Sequence, residues 1–260
     1  MLVNLVRRLV PTTVRAYVGT WAVDLSNKWW PASQLYFLLL YGSTLDGLRL
    51  INKDTVSYNY KGRDILAPRN ATKVFMEIFY EDIYEKRFKP IGTVVDIGAH
   101  VGMFTVKASF TAKNVIAFEP SPETFRLLES NCNGIPNVRL IQKALWSKAG
   151  TTRLYLQGNT ICNSLVCQRA DFVDVETVTL DSVIDKADFI KIDAEGAELE
   201  ILKGAEKVLS CPGTRLAVAA YHSLPDGRPE LPYIVSHLRE RNYNVHASES
   251  YVYAEKLGVK

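Results

Sequence analysis

Cysteine is scarce in this chain, with four in 260 residues. They stand at Cys132, Cys162, Cys167 and Cys211, with no C-x-x-C pair among them. That spacing excludes the common zinc sites, and a chain this long needs no disulfide staples to build a core. Cys162 and Cys167 are near enough in sequence to meet, but reduced thiols in a reducing, cytoplasmic compartment are the expectation. Charge of one sign is also lacking. Lys and Arg total 31 against 28 Asp and Glu, a net charge of +3. Nucleic-acid binders concentrate far more basic side chains on one face, so no nucleic-acid partner is expected. Long apolar runs are missing too. The stretch from Leu35 to Tyr41 falls well short of the roughly 20 residues of a membrane-spanning helix. There is no internal repeat and no low-complexity linker.

What is present is the composition of a globular protein, with 47% apolar and 23% charged residues. Leu2, Leu5, Val6, Leu9 and Val10 recur at helical spacing opposite Arg7 and Arg8, until Pro11 interrupts. No cleavable leader pattern is evident. Such a basic amphipathic helix can lie on an anionic membrane, which gives an expectation of peripheral membrane contact. The simpler alternative is packing against the chain's own globular body. Residues 1–50 read as mostly helical and carry Trp21, Trp29 and Trp30. Leu48 to Leu66 reads as a pair of short strands, and Ala71 to Phe88 as a helix.

From Gly92 onward strands and helices alternate. Thr93–Ile97, Asn114–Phe118, Val138–Ile141, Phe189–Ile192 and Leu216–Ala220 read as strands, with helices over Val101–Ala112 and Glu123–Asn133. Strand-like pieces at Arg153–Leu156 and Val175–Leu180 lie in an insertion. The pattern predicts an α/β, doubly wound, mostly parallel sheet of Rossmann-like type. Residues 1–90 are expected to form an accessory helical and β extension to it, and residues 91–260 the domain that carries the sheet.

The most informative stretch is Val94-Val95-Asp96-Ile97-Gly98-Ala99-His100-Val101-Gly102. A buried strand ends in an acid and turns on Gly98 into a helix, where ligands of open α/β sheets bind. Gly98 leaves room for backbone to approach a ligand. A dinucleotide would need Gly-x-Gly-x-x-Gly for its pyrophosphate, but His100 occupies the middle glycine position. An acid there would repel phosphate and suit the cationic ammonium and sulfonium of S-adenosylmethionine. Glu119 follows roughly 20 residues later at the end of the second strand, placed to accept both ribose hydroxyls.

With these residues in view, Thr93 to His222 resembles the FkbM family of methyltransferases. The carriers are Val95 to Gly102, Phe118-Glu119-Pro120-Ser121-Pro122, Ala144-Leu145-Trp146, Thr179-Leu180-Asp181 and Lys191-Ile192-Asp193-Ala194-Glu195-Gly196-Ala197-Glu198. The last continues into Glu200-Ile201-Leu202-Lys203-Gly204-Ala205, and Glu81-Asp82-Ile83-Tyr84 upstream is similar as well. The resemblance implies the class I methyltransferase fold, S-adenosylmethionine as cofactor, and O-methylation of a small-molecule or carbohydrate hydroxyl. The cofactor residues so implied are Asp96, Gly98, Ala99, His100, Gly102, Glu119, Pro120, Ser121 and Ala144. Many members carry an acid two residues before the histidine of the fifth strand, whereas this chain has Ala220-Tyr221-His222.

Methyl transfer from a sulfonium is an in-line displacement, and a hydroxyl acceptor must lose its proton to a base. Asp193, Glu195 and His222 are the catalytic candidates, converging on one rim if their strands are neighbours. Plainer roles are a helix cap for Asp193, a first-turn acid for Glu195 and a polar strand end for His222. The three suit magnesium or manganese by type, but no second His or further acid at fixed spacing completes a set, so no metal is expected. Gly158-Asn159-Thr160 and Asn163-Ser164 in the insertion are candidates for an acceptor pocket. Two other functions compete with this one. One is a non-catalytic, membrane-associated binding module on the same fold. The other is an NAD-dependent oxidoreductase, which the missing central glycine disfavours.

Overall fold

The computed structural model describes residues 49–258 apart from 53, 157–162 and 225. The expected N-terminal amphipathic helix, the tryptophans beside it and Gly158-Asn159-Thr160 all lie outside the described residues. A short strand β1 (Arg49–Leu50) precedes the hairpin of β2 (Thr55–Tyr60) and β3 (Arg63–Pro68). Lys61 and Gly62, at φ 50° and 83°, close its two-residue turn with the handedness that strand twist favours. Helix α1 (Thr72–Phe79) stops well before the expected Phe88. Asp82, at φ 50°, turns the chain aside, and the nearly buried Lys107 ammonium donates to the Ile78 carbonyl and pairs with Glu85 at 2.7 Å.

The alternating region follows as β4 (Thr93–Ile97), α2 (Met103–Ser109), β5 (Asn114–Phe118), α3 (Pro122–Cys132) and β6 (Val138–Ile141). Helix α2 starts later than its apolar spacing predicts, because His100 and Gly102 just before it are left-handed. The insertion is a small sheet of β7 (Ala144–Leu145), β8 (Gly150–Tyr155) and β9 (Phe172–Val178), in the order β7-β9-β8. Then come β10 (Phe189–Ile192), α4 (Glu198–Lys203), α5 (Glu206–Ser210) and β11 (Arg215–Ala219). A final helix α6 (Leu231–Glu240) and two strands, β12 (Tyr243–Ala247) and β13 (Tyr251–Lys256), complete the described fold and went unread in the sequence.

The main sheet has seven strands in the order β12-β13-β11-β10-β4-β5-β6. β6, β5, β4, β10 and β11 are mutually parallel, and β13 runs antiparallel between β11 and β12. Side chains alternate faces along each strand. Val94, Ala117, Phe189 and Ala217 join one core with α1, α2, α3 and the β2–β3 hairpin. Val95, Phe118, Ile190 and Leu216 join the other with α4, α5 and α6. Both faces of the parallel strands are therefore covered, which accounts for their continuous apolar sequences. None of the described helices is long and apolar enough to cross a membrane.

Candidate active site

From β4 the chain winds outward through β5 and β6, then returns to lay β10 against the other edge of β4. The crevice beyond the carboxyl ends of β4 and β10 is the topological switch point, where open α/β sheets bind ligands. A cleft of about 1080 Å³, counted with its open mouth, lies there. Gly98, Ala99, His100, Glu119, Pro120 and Ala144 line it, as do Asp193 and Glu195. Helix α1 and the turn after it add Glu77 and Tyr84.

Three residues expected to contact the cofactor do not line the cleft. Asp96 is fully buried, facing away from the crevice toward α2. It stands opposite Lys191 in the β4–β10 register, and the two pair at 3.0 Å while the Thr105 hydroxyl donates to Asp96 at 2.5 Å. Its charge is already matched, so it cannot serve as the free counter-ion expected for the cofactor's ammonium. Gly102 begins α2 at φ 89°, and a Cβ there would lie 2.6 Å from Leu128 Cδ1, so it serves helix packing. Ser121 caps α3, accepting from the Thr124 N–H at 3.4 Å. Gly98 does line the cleft, but its smallness serves the chain itself. At φ 71°, a Cβ would fall 1.8 Å from the Asp193 carbonyl oxygen, so only glycine lets the two loops meet.

Lys191 had no assigned role in the sequence, yet it ties the two loops together. Its ammonium donates to the carbonyls of Ile97 at 3.2 Å and Gly98 at 2.7 Å while pairing with Asp96. A lysine inside the apolar strand Phe189–Ile192 was the available signal, because a buried ammonium demands a partner.

Glu119 ends β5 almost wholly buried. Its two oxygens accept from the His100 N–H at 2.9 Å and the Ser121 N–H at 3.0 Å. Burial pushes its carboxyl up to about 7 against those two N–H groups, which pull it down. Each oxygen keeps a further lone pair for a hydroxyl donor. His100 beside it is held neutral, because burial first and the Lys191 charge second bring it down to about 4.

The other side of the cleft is acidic. Asp193 follows β10 and accepts from the Tyr84 hydroxyl at 2.5 Å, which gives the Glu81-Asp82-Ile83-Tyr84 segment a place in the site. Glu195 sits at φ 53°, and the Ser164 hydroxyl holds its carbonyl at 2.6 Å. The insertion thus touches the site through Ser164, while Asn163 lines the cleft. Burial pushes Glu195 up to about 7, with the His222 charge opposing. His222 ends the β11 segment behind Glu195, its Nε2 3.5 Å from Glu195 Oε2 and its Nδ1 3.0 Å from Glu198 Oε1. The three expected catalytic residues therefore do converge. Neither nitrogen is aligned for a directional hydrogen bond, so both contacts are ionic. Burial lowers the imidazole, but Glu198 first, then Asp193 and Glu195, outweigh it and push it up to about 9.

Glu198 was missed as a site residue. It begins α4, and its Oε1 lies 3.0 Å from His222 Nδ1. Glu230, just before α6, is fully buried against the same cluster and was missed as well. These are the further acids that sequence spacing did not reveal. Ligand-type atoms of Asp193, Glu195 and His222 lie within 4.8 Å of one another, as do those of Glu198, His222 and Glu230. Such spacing is compatible with a divalent cation.

The strand order with its antiparallel β13, the switch-point cleft and the carboxylate at the end of β5 together define the class I methyltransferase fold. The chain belongs to the FkbM methyltransferase family. The family model, described as Methyltransferase FkbM domain, matches residues 96–245. It is an S-adenosylmethionine-dependent methyltransferase. Among similar proteins, methyltransferase sdnD of Sordaria araneosa is 28% identical over 201 residues, covering 61% of this chain and 76% of that one. Hexuronic acid methyltransferase AglP of Haloferax volcanii is 26% identical over 153 residues, covering 56% of this chain and 60% of that one. The crystal structure of methyltransferase FkbM from Methylobacillus flagellatus KT is similar at 20% identity and a TM-score of 0.48. The match covers 69% of this chain and 47% of that one.

Proposed function

We propose that the protein transfers the methyl group of S-adenosylmethionine to a hydroxyl of a small-molecule or glycan-like acceptor. The observation that carries this reading is the charge of the cleft. Glu77, Glu119, Asp193 and Glu195 face it, whereas Lys191 is committed to Asp96 and Lys143 pairs with Glu176 at 2.5 Å. Such a wall favours a phosphate-free cation over a pyrophosphate. Glu119 takes the ribose hydroxyls, with Gly98, Ala99, His100 and Pro120 forming the wall around the nucleoside and Ala144 closing one side. The cofactor supplies an electrophilic methyl on a positively charged sulfur.

The chain's own residues supply position and a proton acceptor. Asp193, held by Tyr84, orients the acceptor hydroxyl. Glu195 takes its proton, with His222 behind it to share the charge. Tyr221, half exposed at the rim, offers an aromatic face to the acceptor. The name of the hexuronic acid methyltransferase makes uronic acids and their glycosides the first acceptors to try.

Label from methyl-tritiated S-adenosylmethionine is expected to enter a uronic-acid or neutral glycoside as a base-stable methyl ether. Glu195→Gln protein is expected to transfer it at least a hundredfold more slowly, the order contributed by a general base. Protein that binds the cofactor but labels no hydroxyl acceptor across a broad glycoside panel would contradict the proposal.

A further inference from the structure

Glu198 and Glu230, beside His222, do not line the cleft, and the reaction outlined above leaves them without a task. Glu198 is fully buried, fixed by the N–H groups of Ala194 at 2.8 Å and Gly196 at 2.9 Å. Glu230 is equally buried, accepts from the Leu199 N–H at 2.7 Å and donates its own N–H to the His222 carbonyl at 3.2 Å. One backbone clamp therefore sets the distance between the imidazole and the acids behind it. His222 is surrounded by Asp193 and Glu195 from the loop after β10, Glu198 from α4, Glu230 before α6 and the Tyr221 ring at the end of β11. Lys191, a cation near Glu195, is neutralised by Asp96.

We propose that His222 is a base switched by the charge of the cofactor. Glu198, a positioning residue, keeps a proton on His222 in the free protein, and the sulfonium of bound S-adenosylmethionine expels it. This rests on the reading of the cleft as the cofactor site. A unit positive charge brought several ångströms from an imidazolium favours the neutral ring by about tenfold or more. The balance of the transfer then closes. The acceptor's oxygen–methyl bond forms as the sulfur–methyl bond breaks, and the sulfonium becomes a neutral thioether. The hydroxyl proton passes through Glu195 to the vacated imidazole. The acids around His222 favour that proton once the positive sulfur has gone, so product formation and base protonation reinforce each other.

Calorimetric titration in two buffers of different ionisation enthalpy, near pH 8.5, counts protons released on binding. S-adenosylmethionine is expected to release roughly half a proton more per molecule bound than S-adenosylhomocysteine, which differs in lacking the sulfonium charge. His222→Asn protein should bind both ligands and lose that difference. In Glu198→Gln protein the window of release should move to lower pH, because the imidazolium loses its nearest countercharge. A merely structural role for Glu198 would instead weaken both ligands and leave the window in place. Equal release with the two ligands, or a difference that survives His222→Asn, overturns the switch while leaving the cofactor site standing. Failure of both ligands to bind overturns the cofactor reading and the switch with it.

Discussion

Glu119→Ala protein is expected to bind S-adenosylmethionine roughly ten- to a hundredfold more weakly than the unmodified protein, as read by calorimetric titration. Hydrogen bonds to a charged acceptor contribute about 1.5–3 kcal/mol, and the ribose would lose such an acceptor. Glu119 also organises the loops around it through the His100 and Ser121 N–H groups, so the alanine variant loses position as well as contact. Glu119→Gln separates the two effects, keeping one carbonyl oxygen for an N–H while removing the charge. The carboxyl, raised by burial to about 7, adds a pH signature. Ribose hydroxyls donate best to the ionised form, so affinity should rise about tenfold between about pH 6 and pH 8. Glu119→Gln should flatten the part of that rise due to this group. Undiminished binding by both variants would remove Glu119 from the site.

Lys191→Met is expected to cost about 3–5 kcal/mol of folding stability, because it leaves Asp96 ionised and fully buried without its partner. The same change releases the Ile97 and Gly98 carbonyls that hold the β4 loop beside the β10 loop. Adding Asp96→Asn should recover much of the loss, since a neutral amide can keep the Thr105 hydroxyl as a donor without a buried charge. Urea unfolding of the two single variants and the double variant measures this. Additive losses would show that the pair is not coupled.

The strands Thr93–Ile97, Asn114–Phe118, Val138–Ile141 and Phe189–Ile192 were legible to the residue, because buried parallel strands are short, apolar and closed by turns. The last strands were not. β12 is an edge strand with polar Asn244 and His246, and β13 carries Glu255 and Lys256, so neither has the apolar continuity of a central strand. In the site, Glu119, Asp193 and Glu195 were readable because each ends or follows a strand at the switch point. Asp96 misled for the same reason. Its place at the strand end points toward a ligand, but the pleat turns its side chain into the core, opposite Lys191. Tyr84 and Glu230 meet Asp193 and the His222 segment through tertiary contacts that no local spacing encodes. Glu198 stood in the Lys191–Glu198 stretch, and only its contact with His222 was hidden.

On the proposed reading, the cleft beyond β4 and β10 holds a phosphate-free nucleoside by its ribose. A crystal structure of the protein soaked with S-adenosylhomocysteine tests it most directly. The ribose hydroxyls are expected within hydrogen-bond reach of Glu119, with the sulfur turned toward Asp193 and Glu195. Density for the nucleoside elsewhere, or for a pyrophosphate in that cleft after soaking with NADH, would contradict it.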